Sequence, residues 1–413
     1  MATTSHPLRE DRLMTRSIPA RVKPSVLQWA RRTIDLTEVA AARKIGVDEA
    51  RLTTWESGEA APTIAQLRKV SEVYKRPLAV FFLAEPPTDF DTLRDFRRLD
   101  GVDSGVWSPA LHDEFRRAHE QRATLLELAD IDDVEPAVDW RIDSLPETDV
   151  AIARAGRDRL LTVGPLALPG TGDKPYDHLN TWVAALEASG VLVMATSGGR
   201  VTVREMRAFS LYFDTIPVIV VNGTDSPRGR LFSLLHEYAH LLLHSEGLCD
   251  VITDRRATTP IRELEARCNA LAASMLMPRD AVLAQPLVRS HRADGSAWTY
   301  SELRRAAAPF GASAEAFLRR LVTLGCASER FYAERREEFL RAYEADAARE
   351  RAGGGNWYRN TVRDKGKGFV RLVTDAHKRR VIDTYTATTF LDVKASQMGR
   401  LAQEARLSNA EAV

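Results

Sequence analysis

A chain of 413 residues is too long for one simple core, so two or three domains are expected. Its 44% hydrophobic and 28% charged residues are typical of a globular protein, and its formal net charge of +1 excludes a global field that attracts nucleic acid. The three cysteines are too few and too scattered for a disulfide framework or a cysteine-based zinc site, which favours the reducing cytoplasm. The N-terminal residues lack the apolar segment of a signal peptide, and no run of about eighteen apolar residues occurs, so no membrane span is expected.

The first part of the chain contains a series of short helical patterns. Residues 1–20 are polar and are expected to form a flexible tail. Residues 21–87 contain four helical patterns followed by the apolar run LAVFFLAEPP, which we expect to dock between domains. Thr37 is a typical helix N-cap and Gly46 a typical helix end. These features predict an all-α N-terminal domain.

The rest of the chain mixes helical and β-like patterns. We expect a helical linker region over residues 88–175, a core of strands and helices over 176–290, a helical region over 291–350 and a basic region over 351–413. The basic region has 12 Lys and Arg against 6 Asp and Glu, which predicts either a nucleic-acid contact or a solvated helix face. Runs rich in β-branched and aromatic residues predict strands within 191–198, 206–215 and 216–223. The predicted fold is therefore mainly α with a small β-sheet.

The pattern His236-Glu237-Tyr238-Ala239-His240 lies in a helical segment that is apolar nearly all round. Residues four apart on an α-helix point the same way, so His236 and His240 can chelate one zinc ion. Glu237 lies beside them, at an angle suited to hold a water rather than the metal. Zinc lowers the pKa of the water, and the glutamate takes its proton as the water attacks a peptide carbonyl. Because burying such polar groups costs several kcal/mol, a metal site is favoured over core histidines.

A catalytic zinc needs a third protein ligand and an open fourth position. Glu265, at the start of a second helix with an apolar stripe, is the favoured candidate, and Glu263 is its competitor on another face. An acid exposed at a helix start is the alternative interpretation for either residue. His244 lies one turn, about 6 Å, beyond His240, so we expect it to support the ligands or to pack rather than to bind the ion.

Two segments together resemble the ImmA/IrrE family of zinc metallopeptidases. They are HEYAHLLLH and, over residues 265–278, E-x-x-C-N-A-L-A-A-S-M-L-M-P. The resemblance implies an α+β, zincin-like domain in which His236, His240 and Glu265 bind zinc. It also implies that Glu237 is the catalytic acid and base.

The second segment contains two further residues of interest. Cys268 stands where the family has alanine, and we expect it to be a small core residue rather than a fourth ligand. Asn269 joins His244 as a candidate for supporting the metal ligands from behind.

Residues 24–83 resemble the Cro/repressor-type (XRE) helix-turn-helix, through the segments ARLTTWESG and PTIAQL. In that fold the third helix enters the major groove of DNA, which makes Arg51, Thr53 and Thr54 candidates for DNA contact. Residues 24–76 hold nine Lys and Arg against seven Asp and Glu, which is a weak basic stripe for a nucleic-acid reader. The sequence therefore leaves two alternatives for what this module binds, double-stranded DNA or a protein partner.

The joint presence of these parts resembles the long helix-turn-helix members of the ImmA/IrrE family, as do the DFRRL-like stretch at 95–98 and the GGGNWYR segment that starts at 353. The resemblance implies a cytoplasmic zinc endopeptidase that cleaves a specific protein, a helix-turn-helix repressor, in a stress or mobile-element response. The alternative is a DNA-binding regulator whose peptidase-like domain senses a ligand or partner without proteolysis. Retention of Glu237 favours the enzyme, because a sensor does not need the base.

Overall fold

The computed structural model describes residues 20–86 and 108–406 apart from short gaps. The gaps are 21, 33–35, 75, 77, 84, 143, 164–173, 245–246, 250–258, 295–296 and 352–355. The stretch at 95–98 and the three glycines from 353 lie outside the described residues. The chain divides into two units, Met1–Leu99 and Asp100–Val413. It is mainly α-helical with one small β-sheet, which confirms the predicted fold class.

Four α-helices lie in the described part of the first unit. They are α1 Pro24–Arg32, α2 Glu38–Ile45, α3 Glu49–Ser57 and α4 Ile64–Tyr74. α2 begins because the Thr37 hydroxyl accepts a hydrogen bond from the Ala40 N–H, and it ends because Gly46 adopts a left-handed conformation with φ of 81°. Both ends lie at the residues predicted from the sequence. Residues 46–48 then turn the chain into α3, whose first turn is capped by Asp48.

The core of the first unit is apolar, with one charged pair inside it. Trp55 is almost fully buried, and the Arg31 guanidinium donates to both carboxylate oxygens of Glu56 at 2.7 Å each, which ties α1 to α3. The apolar run after α4 forms a 3-10 helix over Leu78–Phe82, and Phe81 is buried in this core. Part of the run therefore belongs to the first unit, and its docking role stays a prediction.

The second unit contains the β-sheet. Its strands are β1 Leu192–Ala195, β2 Ala208–Leu211, β3 Val218–Val221 and β4 Gly247–Cys249. They lie in the order β1-β3-β2-β4, with β1 parallel to β3 and the other neighbours antiparallel. Every residue of β1, β2 and β3 is buried, as expected of strands covered on both faces. These three strands confirm the β-like runs, whereas β4 has too few residues to carry a pattern.

In the described part of the chain, ten α-helices of the second unit lie between residues 109 and 351. They are α5 Pro109–Ile131, α6 Asp149–Val163, α7 Pro175–Ala188, α8 Pro227–Leu242, α9 Thr259–Leu276, α10 Arg279–Leu283, α11 Pro286–Asp294, α12 Tyr300–Ala307, α13 Ala314–Thr323 and α14 Glu329–Arg351. α8 packs on β2 and β3, and α9 packs on α8 and α6. Residues 109–163, expected as a linker region, contribute to this core, because Phe115 of α5 stacks on Phe209 of β2 and Ile152 of α6 is buried.

Four further helices end the described chain. They are α15 Trp357–Lys365, α16 Lys367–Lys378, α17 Thr384–Leu391 and α18 Ala395–Arg406. α15 and α16 pack against β1, and Gly366 between them has a φ of 91°. A Cβ at Gly366 would lie 2.3 Å from the carbonyl oxygen of Val193, so only glycine fits this approach. In the described part of the chain, no helix is long and apolar enough to cross a membrane.

Candidate metal centre

The centre lies on α8. The residues at the start of this helix cap its first turn, and the apolar residues that follow bury it. The Ser226 hydroxyl accepts an N–H from the first turn, and Pro227 fills the first helical position. Leucine, tyrosine and alanine side chains on all sides then bury the helix among β2, β3, α7 and α9. His236, Glu237 and His240 are consequently no more than 1% exposed.

Three side chains from α8 and α9 converge. The Nε2 atoms of His236 and His240 are 3.1 Å apart, and the Glu265 carboxylate lies 3.1 Å from the first and 3.3 Å from the second. One candidate ligand atom from each residue lies within 4.8 Å of the other two. Two ligand atoms that are each about 2.0–2.1 Å from a tetrahedral zinc ion stand about 3.3 Å apart, so this donor set fits such an ion.

Asn269 lies one turn after Glu265 on α9 and fixes the ring of His236. Its Oδ1 is 3.1 Å from His236 Nδ1, so we assign the proton of the neutral ring to Nδ1. The Nε2 lone pair is then left for a metal on the side of His240 and Glu265. Hydrogen bonds of this kind orient metal-binding histidines in proteins.

Glu237 is fully buried beside these groups. Its Oε2 accepts a hydrogen bond of 2.7 Å from the Ser210 hydroxyl on β2. Its Oε1 has no hydrogen-bond partner among the described residues. Burial raises the pKa of this carboxyl, and the rings of His240 and His236 only partly oppose the shift. A buried carboxylate oxygen with no protein partner is an acceptor that a reacting water can use.

The charges at the centre are coupled. Burial raises the pKa of Glu265, but its hydrogen bonds with His236 and His240 outweigh burial and lower that pKa to about 2. Burial lowers the pKa of His236, but its hydrogen bond with Glu265 and the charges of Glu237 and Glu265 outweigh burial and raise it. Glu265 is therefore an anionic oxygen donor at neutral pH.

His244 lies outside the centre. α8 ends at Leu242, and His244 adopts a left-handed conformation with φ of 53° that turns the chain away from the helix. Its exposed ring stacks on Tyr212 at a centroid distance of 5.2 Å, and its Nδ1 lies 3.4 Å from the Tyr212 hydroxyl. His244 thus packs on an aromatic ring and not on the ligands, which is the packing interpretation of the sequence.

The two remaining candidates near the ligands are also outside the cluster. Glu263 is exposed and does not belong to the group of ligand atoms. Cys268 is buried in the core of the second unit, and burial raises the pKa of its thiol, which keeps the thiol protonated and therefore a poor ligand.

Two residues at the site escape sequence reasoning. Ser210 is a single hydroxyl in an otherwise apolar strand, and only that contrast marks it in the sequence. Tyr212 follows the same strand and carries the ring on which His244 stacks. Both depend on β2 lying beside α8, which is a contact between segments distant in the chain.

The DNA-contact candidates lie on α3 of the first unit. Arg51 and Thr53 are exposed, and Thr54 is partly exposed. The Thr53 hydroxyl donates to a carboxylate oxygen of Glu38 at 3.3 Å and to the carbonyl oxygen of Glu49 at 3.0 Å. The Thr54 hydroxyl donates to the carbonyl oxygen of Arg51 at 2.8 Å. Both threonine hydroxyls are therefore engaged by the protein itself.

Two segments of the chain match known families. Residues 186–322 match a peptidase family described as the IrrE N-terminal-like domain, and this segment includes α8 and α9. Residues 27–81 match a family described as helix-turn-helix. No curated protein and no solved structure matches the chain. The resemblance seen in the sequence is thereby confirmed, and the chain joins an N-terminal helix-turn-helix domain of the XRE type to a metallopeptidase-like, IrrE N-terminal-like domain.

Proposed function

We propose that this chain is a zinc-dependent endopeptidase that cleaves a specific protein, a helix-turn-helix repressor, in a stress or mobile-element response. The observation that carries the proposal is the state of Glu237. Ser210 holds one of its carboxylate oxygens, while the other has no partner among the described residues and lies beside three metal-binding groups. A metal-dependent sensor needs those three groups but has no use for this carboxylate.

The donor set supports zinc as the cofactor. Two imidazole nitrogens and one carboxylate, with a fourth position left open, are typical of catalytic zinc sites. Zinc supplies Lewis acidity, which lowers the pKa of a water and polarises a peptide carbonyl. His236, His240 and Glu265 would hold the ion, and Asn269 would keep the ring of His236 in its orientation.

Glu237 moves the protons of the reaction. Its Oε1 accepts a proton from the attacking water while Ser210 keeps Oε2 hydrogen-bonded. The same carboxyl then passes that proton to the amine nitrogen as the peptide C–N bond breaks, so one water is consumed for each bond cut. Burial, which raises the pKa of Glu237, favours both steps because it brings the carboxyl closer to the pH at which it must accept and then donate.

The N-terminal domain supports the proposed class of substrate. A helix-turn-helix domain binds DNA or another protein. Binding to DNA would bring the peptidase-like domain near a repressor on the same DNA, and binding to a protein would bring it to the repressor directly. The resemblance to the long ImmA/IrrE members points to the same class.

The test is the substitution Glu237→Gln in the full-length chain, co-expressed with any helix-turn-helix repressor that the neighbouring genes encode. Gln is nearly isosteric and can keep the hydrogen bond with Ser210, so zinc content should be unchanged. The cleavage rate should fall by on the order of 10²–10⁴, because the group that accepts and donates the proton is lost. Repressor length on immunoblots and metal analysis of the purified protein are the measurements.

Glu263→Gln is the matched control, because it makes the same change at an exposed acid of α9 outside the cluster. It should leave both zinc content and cleavage unchanged. If the biological response persists in Glu237→Gln, proteolysis is not the mechanism and the chain acts as a sensor.

A further inference from the structure

The last three described helices repeat the arrangement of the first three. Residues 38 and 384, which begin α2 and α17, are 346 positions apart, and so are residues 49 and 395, which begin α3 and α18. In both copies five residues separate the first helix from the second and three separate the second from the third. In both copies the first helix also packs on the third, α1 on α3 and α16 on α18.

The turn between the second and third helices has the same geometry in both copies. Gly46 and Asp392 are both left-handed, with φ of 81° and 47°. The residue that follows, Val47 or Val393, donates its N–H to the carbonyl oxygen five residues earlier, at 3.0 and 3.1 Å. This is the hydrogen bond of a Schellman motif, and it sets the direction in which the third helix leaves the turn.

The buried positions follow the same shift of 346 residues. Both members of each of these pairs are buried: Leu27 and Val373, Ala30 and Ala376, Leu36 and Ile382, Ala41 and Ala387, Ile45 and Leu391, Leu52 and Met398, Trp55 and Leu401. Several pairs depart from the rule: Val26 is buried and Leu372 is exposed, and Ala42 and Glu56 are buried whereas Thr388 and Ala402 are partly exposed. The two copies share positions rather than residues, so the repeat is visible only in the fold.

We propose that residues 367–406 form a second helix-turn-helix and that its third helix, α18, binds double-stranded DNA through its exposed N-terminal turns. In this motif the third helix enters the major groove, and the turn before it sets the angle of entry. The proposal goes beyond the peptidase function and does not depend on the metal centre.

The second copy has a more positive net charge than the first, and this charge favours DNA as its partner. Residues 24–58 hold five Lys and Arg against five Asp and Glu, whereas residues 366–406 hold eight against four. The acids Asp48 and Glu49 at the start of α3 are replaced at the start of α18 by Lys394 and an alanine, and the first nine residues of α18 contain no acid. A net positive segment without acids in the first nine residues of its third helix complements the phosphates of DNA.

Not every basic residue of this segment contributes to that surface. Arg379, for example, is paired with Asp132, the residue that follows α5, with one contact of 3.0 Å, and so anchors the segment to the rest of the unit. Lys378, Arg380 and Lys394 are exposed and border α17 and α18. They lie where cations flank the groove-binding helix of such a motif and contact the phosphate backbone.

Gly399 offers a matched pair of variants. It lies on the exposed side of α18, at the position that corresponds to Thr53 in α3, and a Cβ there meets nothing within 4 Å. Gly399→Glu and Gly399→Lys therefore make the same structural change with opposite charge. Both replace glycine by a better helix former, so the fold is expected to be kept.

The experiment measures fluorescence anisotropy of a labelled duplex of mixed sequence at low salt, with full-length protein. Gly399→Glu should bind about tenfold more weakly than wild type, and Gly399→Lys should bind more tightly. Lys394→Glu, at an exposed residue just before the helix, should also weaken binding and should reduce the salt slope by about 1, because it removes a cation. Thermal unfolding followed by circular dichroism checks that every variant is folded.

Three outcomes would overturn the proposal. One is that the Glu and Lys variants at Gly399 bind the duplex equally well. Another is that wild type does not bind the duplex, or binds a single strand of the same sequence as tightly. The third is that affinity responds only to Arg51→Glu, a charge reversal on α3, because the first copy would then be the DNA-binding one.

Discussion

At the scale of single residues, the direction of a side chain on α9 decides which acid can bind a metal. Glu263 and Glu265 are two positions apart and so point to nearly opposite sides of the helix, by about 200°. Glu265 reaches both imidazoles, whereas Glu263 is exposed. Both residues are glutamates, so any difference between them in metal binding results from their positions on the helix.

We therefore predict that Glu265→Ala loses zinc while Glu263→Ala keeps about one zinc per chain, since a four-coordinate site needs its third protein ligand. Metal analysis of each purified variant after dialysis gives the result. The ligand assignment is wrong if Glu263→Ala loses the metal and Glu265→Ala retains it.

A second prediction concerns Asn269, which acts on the metal only through the ring of His236. Asn269→Ala should weaken zinc affinity by about 10–100-fold, the typical effect of removing a hydrogen bond behind a histidine ligand. Asn269→Asp keeps an acceptor at the same place and should restore most of the loss. Competition with a chromophoric chelator measures the affinity. His244→Ala is the control, because that exposed ring stacks on Tyr212, and an equal effect of both alanine variants would contradict the role of Asn269.

The site could be predicted from the sequence only as far as helix periodicity reaches. His236 and His240 are four residues apart, and an α-helix has 3.6 residues per turn. The sequence alone therefore predicts that the two rings lie on the same side of the helix. The contact of Ser210 with Glu237 is not, because it joins residues 27 positions apart on a strand and a helix. His244 is again four residues after His240, but its ring does not lie beside the other two rings. The helix has already ended, and the left-handed backbone of His244 turns the chain away from the helix axis.

At the scale of elements, one buried ion pair joins α1 to α3 and so fixes the helix-turn-helix. The Arg31 and Glu56 side chains are 9% and 5% exposed, and the hydrogen bond with Glu56 is the main reason that the pKa of Arg31 is raised. Glu38 also contacts Arg31, at 3.1 Å, but its side chain is 41% exposed. Burial therefore distinguishes two carboxylates that share one partner.

We predict that Glu56→Gln lowers the free energy of unfolding of the first unit by about 3 kcal/mol, because it leaves the Arg31 charge buried without a counter-charge. Glu38→Gln should cost at most about 1 kcal/mol, since water screens the exposed pair. Hydrogen exchange of the backbone amides in α1 and α3 compares the variants, because these amides report on this core separately from the second unit. Equal losses in both variants would mean that burial does not set the strength of the pair.

The elements that the sequence predicted are those with local signals. Thr37 and Gly46 mark the ends of α2 through their own backbone hydrogen bonds and dihedral angles, and Ser226 with Pro227 marks the start of α8 in the same way. No local sequence signal indicates that α5 packs on β2 through Phe115, and the sequence therefore predicts a linker region for that part of the chain. Packing between distant segments is decided by tertiary structure rather than by propensity.

At the scale of the whole molecule, a bound ion would connect elements that are far apart in the chain. α8 and α9 provide the candidate ligands, α8 packs on the sheet, and α9 packs on α6, so an ion in the cluster would join elements on the two sides of the α8–α9 contact. An ion that binds the folded state and not the unfolded chain stabilises the fold in proportion to the logarithm of its free concentration over its dissociation constant. Among the described residues, the first unit has a separate core and none of its residues belongs to the cluster.

Removal of zinc should therefore lower the unfolding midpoint of the second unit. At a free zinc concentration about 1,000 times the dissociation constant the stabilisation is about 4 kcal/mol. At about 2–4 °C per kcal/mol for a large domain, the expected shift is on the order of 10 °C. Differential scanning calorimetry with and without a chelator measures it. Glu237→Gln should shift like wild type, because it keeps the three ligands, whereas Glu265→Ala should start at the lower midpoint and not respond to the chelator. A chelator response that survives in Glu265→Ala would place the stabilising ion somewhere other than this cluster.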